Sequence, residues 1–171
     1  DGWKIDDYGK HWVNLFNTHG YQTVLAGVQH EANHGEHFPE LAYERVLERE
    51  HPARDQDGEC YPETIDKIES FLATRDDPRP FFLSVGIDEP HRDNLSRPEL
   101  NLHGASDRFT KTRYYDPEKL DYRYTASLPW LPDLPEVRKD VESYREGVRI
   151  MDEYFGRVLY ALKHNGLEDD T

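Results

Sequence analysis

At 171 residues the chain is about one domain long and can bury a core of its own. Its 35 acidic residues against 21 Lys and Arg give a formal charge of −14, which excludes nucleic acid and anionic membrane surfaces as partners. No apolar run approaches the ~20 residues of a membrane span, and a lone cysteine, Cys60, excludes an internal disulfide framework.

Asp6 or Asp7 can cap a first helix, because a carboxylate at that position accepts from the unpaired amides of the first turn. Tyr8, Trp12, Leu15 and Phe16 are expected on its inner face, and Gly20 is its stop. Residues 21–26 read as a short strand ending at Gly27. The stretch 28–54 is polar and rich in histidine, with a helix expected over residues 40–50. Pro62 opens another helix, with Ile65, Ile68, Phe71 and Leu72 on one face, and Asp76-Asp77-Pro78 breaks it. Pro80 leads into Phe81-Phe82-Leu83-Ser84-Val85-Gly86, a compact apolar run expected of a strand covered on both faces. Prolines then recur from Glu89 to Pro135 and periodicity is lost.

A long helix follows. Val137, Val141, Tyr144, Val148, Met151, Phe155, Val158 and Leu162 form its expected buried stripe, with Pro135 in the first turn and Gly166 as its stop. A Gly-stopped helix in an α/β protein is normally followed by a buried strand, so the chain is expected to be an internal piece of a larger enzyme. Helices alternating with strands predict an α/β fold, a mostly parallel sheet with flanking helices. In such sheets the loops past the strand C-terminal ends hold ligands, and residues 27–37 and 88–94 occupy that position. His30 and His91 each lie there, placed for proton transfer or anion binding near neutral pH. The plainer alternative is that each is a loop histidine bonded to backbone. Aromatic residues beside acids and histidines also suit a site for sugars or other polyols.

Gly20-Tyr21-Gln22-Thr23 followed by Gly27-Val28-Gln29-His30 resembles the Gly-Tyr-x-Thr…Gly-Lys-x-His segment of the type I, formylglycine-dependent sulfatases. Pro80-Phe81-Phe82-Leu83 with Pro90-His91 resembles that family's Pro-Phe-Phe-Leu…Pro-His element. Leu131-Pro132-Asp133, Asp152, Gly156, Gly166-Leu167 and Asp170-Thr171 resemble the long helix before its Asp-His-Gly metal strand. The resemblance implies a partial alkaline-phosphatase-like fold, with residues 1–171 forming a single segment from the middle of the catalytic domain. It implies hydrolysis of sulfate esters or sulfamates, with a carbohydrate sulfate as the default substrate. Pro90-His91-Arg92 resembles sulfamidases in particular.

By the same resemblance, His30 contacts the formylglycine hydrate and helps expel sulfate, and His91 binds sulfate and assists the leaving group. Where the family has a lysine this chain has Val28, so a fixed cation is missing beside a spreading anion. Gln29, as a hydrogen-bond donor, and Arg92, as a replacement cation, are the candidate substrate-binding substitutes. The nucleophile motif, Cys-x-Pro/Ala-x-Arg, belongs upstream of Gly20. Cys60-Tyr61-Pro62-Glu63-Thr64 has Thr64 for the arginine and lies downstream of His30, so Cys60 reads as an ordinary thiol. Asp6-Asp7 likewise reads as a helix cap and not as a metal pair. Ca²⁺ and the formylglycine are therefore expected outside this chain, which holds no metal ligand of its own and is expected to be inactive alone. A formylglycine-generating enzyme is implied as partner of the intact protein, and a periplasmic or secreted setting is favoured.

Two rival readings exist. His30-Glu31-Ala32-Asn33-His34 matches the H-E-x-x-H of zinc metallopeptidases, which works only inside a helix; here it follows a strand and runs into Gly35. The other rival is a noncatalytic carbohydrate-binding or scaffold module.

Overall fold

The computed structural model describes residues 5–32, 38–49, 63–91 and 121–171. Two compact units emerge: Asp1–Pro52 with Glu63–Ile87 and Tyr160–Thr171, and Ala53–Pro62 with Asp88–Leu159. The fold is mixed α/β, as expected, with a three-stranded parallel sheet and three α-helices among the described residues.

The sheet lies in the first unit, in the order β2–β1–β3, with β1 at Gln22–Gly27, β2 at Arg45–Arg49 and β3 at Phe81–Gly86. All six residues of β1 are buried. It pairs with β3 in unbroken register from Gln22 opposite Phe81 to Gly27 opposite Gly86, and with β2 through an irregularity between Leu25 and Ala26. Helices α1 (Trp12–Thr18) and α2 (Glu63–Thr74) pack on it. Ile65, Ile68, Phe71 and Leu72 of α2 are all buried, as the spacing predicts. Tyr8, Leu25, Ala32, Phe38 and Leu41 form a second cluster, with Tyr43 and Val46 against it. Burying one such Leu or Ile contributes about 1.5–3 kcal/mol.

The structure corrects several expectations. Asp7 does cap, its carboxylate accepting from Gly9 N at 3.0 Å, but it caps a short 3-10 turn at Tyr8–Lys10. His11 caps α1 itself, and Gly20, at φ +79°, ends that helix with Tyr21 N donating to Phe16 O. Trp12 and Leu15 are exposed at 54% and 58%, although Phe16 stacks on Phe82 of β3 at 4.4 Å. No helix occupies residues 40–49. A 3-10 turn at Phe38–Leu41 leads through Ala42, at φ +59°, into β2. Glu, Arg and Leu favour a helix there, but a positive φ ends helical geometry and pairing with β1 draws the segment into the sheet. Asn17 braces the bend, donating to Ala42 O at 2.8 Å and accepting from Thr23 Oγ1 at 2.7 Å. β3 is only half-buried along its length, because among the described residues it has a neighbouring strand on one side alone.

In the second unit a 3-10 turn at Tyr122–Tyr124, capped by Asp121, precedes α3 (Pro135–His164), whose last residues belong to the first unit. Buried Thr125 donates to Glu142 of α3 at 2.5 Å. Gly166, at φ +69°, ends α3 as predicted, with Leu167 N donating to Leu162 O. The stripe is displaced, however. Of the expected stripe Val141 and Val158 are buried, but Tyr144 and Phe155 are more than two-fifths exposed, and Ser143, Gly147, Ile150 and Ala161, outside it, are buried. One position along a helix is a rotation of about 100°. Bulk dominates the hydrophobic pattern in the sequence, whereas the helix also buries Ser143, Gly147 and Ala161, which add little to it.

Candidate active site at the end of the central strand

Two glycines set where the site begins. Gly27 closes β1 at φ +83° and lies opposite Gly86, which closes β3. Val28 N donates to Gly86 O at 3.0 Å. A Cβ on Gly27 would collide with the Gly86 carbonyl, and a Cβ on Gly86 with the Val28 carbonyl. Bare backbone at both positions lets the two strand ends touch, with the chain past β1 leaving from that contact.

The turn that follows is built by Gln29. Its side chain is buried; Oε1 accepts from Glu31 N at 2.9 Å and Ala32 N at 3.0 Å, and Nε2 donates to Ala32 O at 3.1 Å. Both backbone amides after His30 are thereby satisfied without a helix. His30 itself is exposed at the tip of the turn. Gln29, expected as a donor to substrate, has its acceptor filled and one amide hydrogen engaged inside the protein.

Glu31 points back into the fold. Its Oε2 accepts from Tyr43 Oη at 3.2 Å and lies 3.7 Å from Nε2 of His11, whose side chain is only 9% exposed. Tyr8 Oη reaches Glu31 O at 3.5 Å. Burial pushes the Tyr43 phenol up to about 12; a hydrogen bond with Ser84 works against this and the Glu31 charge adds to it. Tyr43 is therefore a permanent donor at neutral pH. His11 Nδ1 accepts from Val13 N at 3.4 Å, which puts the proton of the neutral ring on Nε2, toward Glu31. Sequence reasoning missed His11 and Tyr43, which lie 20 and 12 residues from Glu31 with no spacing to signal the meeting.

His91 belongs to the second unit, exposed at the end of a turn in which its N–H donates to Asp88 O at 2.7 Å; the Glu89–Pro90 peptide there is cis. Arg92, His34 and Cys60 lie outside the described residues. His30 and Glu31 are not helical, so the first half of the H-E-x-x-H pattern lacks the geometry zinc needs, and the Glu31 carboxylate faces Tyr43 and His11 instead. Among the described residues no three His, Cys, Asp or Glu side chains gather as a metal-ligand set. They do not fit a Ca²⁺ site, which needs several oxygen ligands converging on one point. Among them, too, no helix is long and apolar enough to cross a membrane.

The family model described as Sulfatase matches residues 11–171. The chain belongs to the sulfatase family. Among curated sulfatase relatives, the N-sulphoglucosamine sulphohydrolase of Homo sapiens is 29% identical over 109 residues, 61% of this chain. The chain spans 22% of that relative's length.

Proposed function

We propose that the protein carrying this sulfatase segment is a hydrolase of sulfate esters or sulfamates, with carbohydrate sulfates as its substrate class. The observation that carries the reading is His30, presented on a rigid turn at the C-terminal end of the central parallel strand. The human relative's name supports a sulfamate on a glucosamine as the first substrate to try.

In this reading a formylglycine would supply the attacking oxygen and Ca²⁺ would offset sulfate charge, neither being held by the described residues. The chain's own part is proton handling. His91 holds a proton for the leaving oxygen or nitrogen as its bond to sulfur breaks, so that a neutral alcohol or amine departs. His30 exchanges a proton on the nucleophile side. An imidazole suits both tasks, because its unperturbed pKa lies near neutrality. With Gln29 engaged in the turn, Arg92 is the cation we assign in place of the family lysine at Val28.

The test is the full-length protein, co-expressed with a formylglycine-generating enzyme and assayed on an aryl sulfate and on N-sulfoglucosamine. Turnover should fall about 10²-fold or more in His91→Ala and in His30→Ala, the range for losing a positioned proton carrier. Undiminished turnover in either variant would overturn that residue's role, and no turnover by the unsubstituted protein would overturn the function.

A further inference from the structure

Resting on the sulfatase reading of His30, we infer that Glu31, seated between Tyr43 and His11, is a positioning residue that fixes how His30 leaves the end of β1. The backbone on the far side of His30 is held at four points. Its amides at Glu31 and Ala32 bond to the Gln29 side chain, its Glu31 carbonyl accepts from Tyr8, and its Glu31 carboxylate accepts from Tyr43 beside His11. The Gln29 hydrogen bonds close the turn onto itself, so they fix its shape and not its orientation. Orientation requires an anchor elsewhere in the fold. Glu31 reaches two elements, the α1 cap through His11 and the approach to β2 through Tyr43, and those elements flank β1.

The anchor is also of the right kind chemically. Tyr43 stays protonated and donates to the Glu31 carboxylate, and His11 presents Nε2 to it at 3.7 Å, in a part-buried setting that strengthens such polar contacts. Side chains held this way keep a catalytic group within the narrow tolerance that proton transfer demands.

A double-mutant cycle in the full-length protein tests the claim. Glu31→Ala should lower kcat at least about tenfold with KM changed by less than about twofold, the pattern of a misplaced reacting group. In a His30→Ala background the same substitution should cost almost nothing, because Glu31 acts through His30. Glu31→Gln keeps shape and an acceptor for Tyr43, and should restore most of the loss. With ¹³C-labelled histidine, the His30 Cε1–H resonance should broaden or shift in Glu31→Ala. If that variant does not fold, Tyr43→Phe removes one anchor at almost constant shape and should move the same resonance, less far. An unmoved His30 resonance in a folded variant, or an equal penalty with and without His30, would overturn the proposal. If the unsubstituted protein hydrolyses no sulfate ester or sulfamate, the sulfatase reading fails, while the resonance still decides the positioning claim.

Discussion

The end of β1 and the outer face of α3 use polar residues in opposite ways. Around β1, part-buried groups bond between separate elements: Asn17 to Ala42, Thr23 to Asn17, Glu31 to Tyr43. Along α3, exposed arginines pair with acids one turn away, Arg149 with Glu146 and Glu153, and Arg145 with Glu142. The first pattern specifies one three-dimensional arrangement, because each buried group left unpaired would cost about 1–3 kcal/mol. The second supports a helix that would form in many contexts, at about 0.2–0.5 kcal/mol per pair. Function needs the first kind of order and solubility needs the second.

The contrast is broken most severely at the glycine contact. Gly86→Ala places a Cβ against the Val28 carbonyl, which is backbone held by β1 and cannot swing aside. The strand ends must separate, so we expect a loss of about 3 kcal/mol or more, seen as a lower denaturation midpoint of the full-length protein. Gly156→Ala is the control: its Cβ would meet nothing within 4 Å, and in a helix interior alanine should be neutral or stabilising.

Next comes the phase of α3. Ile150, 5% exposed, should cost roughly 2–5 kcal/mol on truncation to Ala. Phe155, 41% exposed, should cost clearly less despite its larger ring. Thermal or denaturant unfolding of both variants checks the order, and the reverse order would restore the stripe read from sequence.

That displaced stripe shows what the sequence made legible. β1, β3 and α2 could be read because their apolar residues alone settle the matter: Val24, Leu25, Ile65 and Ile68 have no plausible place but inside, and all are nearly or fully buried. α3 could be read as a helix, with its glycine stop, but not in rotation, because Ser143, Gly147 and Ala161 carry little hydrophobic signal. β2 was hidden by residues that suit a helix, and only Ala42 and the parallel pairing override them. At the site, His30 stood out by motif and position. The support behind it did not, since Glu31, His11 and Tyr43 are joined only by the fold.

A smaller effect should appear at the entrance to β3. Arg79 pairs with Asp77 at 2.6 Å and with Glu44 at 2.8 Å, tying that entrance to the start of β2. The Arg79 hydrogen bond holds the Asp77 carboxyl down at about 2, and separate hydrogen bonds from the same guanidinium lower Glu44. Because the folded value is depressed, the contribution is fully present above an ordinary carboxylate pKa of about 4 and is lost as pH falls through about 2. The stability gap between the native protein and Asp77→Asn should therefore close across that window. The pair is partly exposed, with Arg79 open to solvent, so salt should narrow the gap as well. A gap independent of pH and salt would mean that Asp77 acts through its 3.0 Å backbone bond to Arg79 N.

The smallest effect belongs to Arg149, the centre of the local network on α3. Its guanidinium meets Glu146 at 2.6 Å and Glu153 as well, and its side chain is 55% exposed. Removing it leaves two acids about two turns apart, where solvation replaces the lost partner and little desolvation had to be offset. Arg149→Ala should change stability by less than about 0.5 kcal/mol, part of the lost pairing being returned by alanine's helix propensity. A loss above 1.5 kcal/mol in denaturant unfolding, beyond what exposed pairs supply, would show that this face of α3 is covered in the full-length protein. In that case the local network would belong with the cross-linked order around β1.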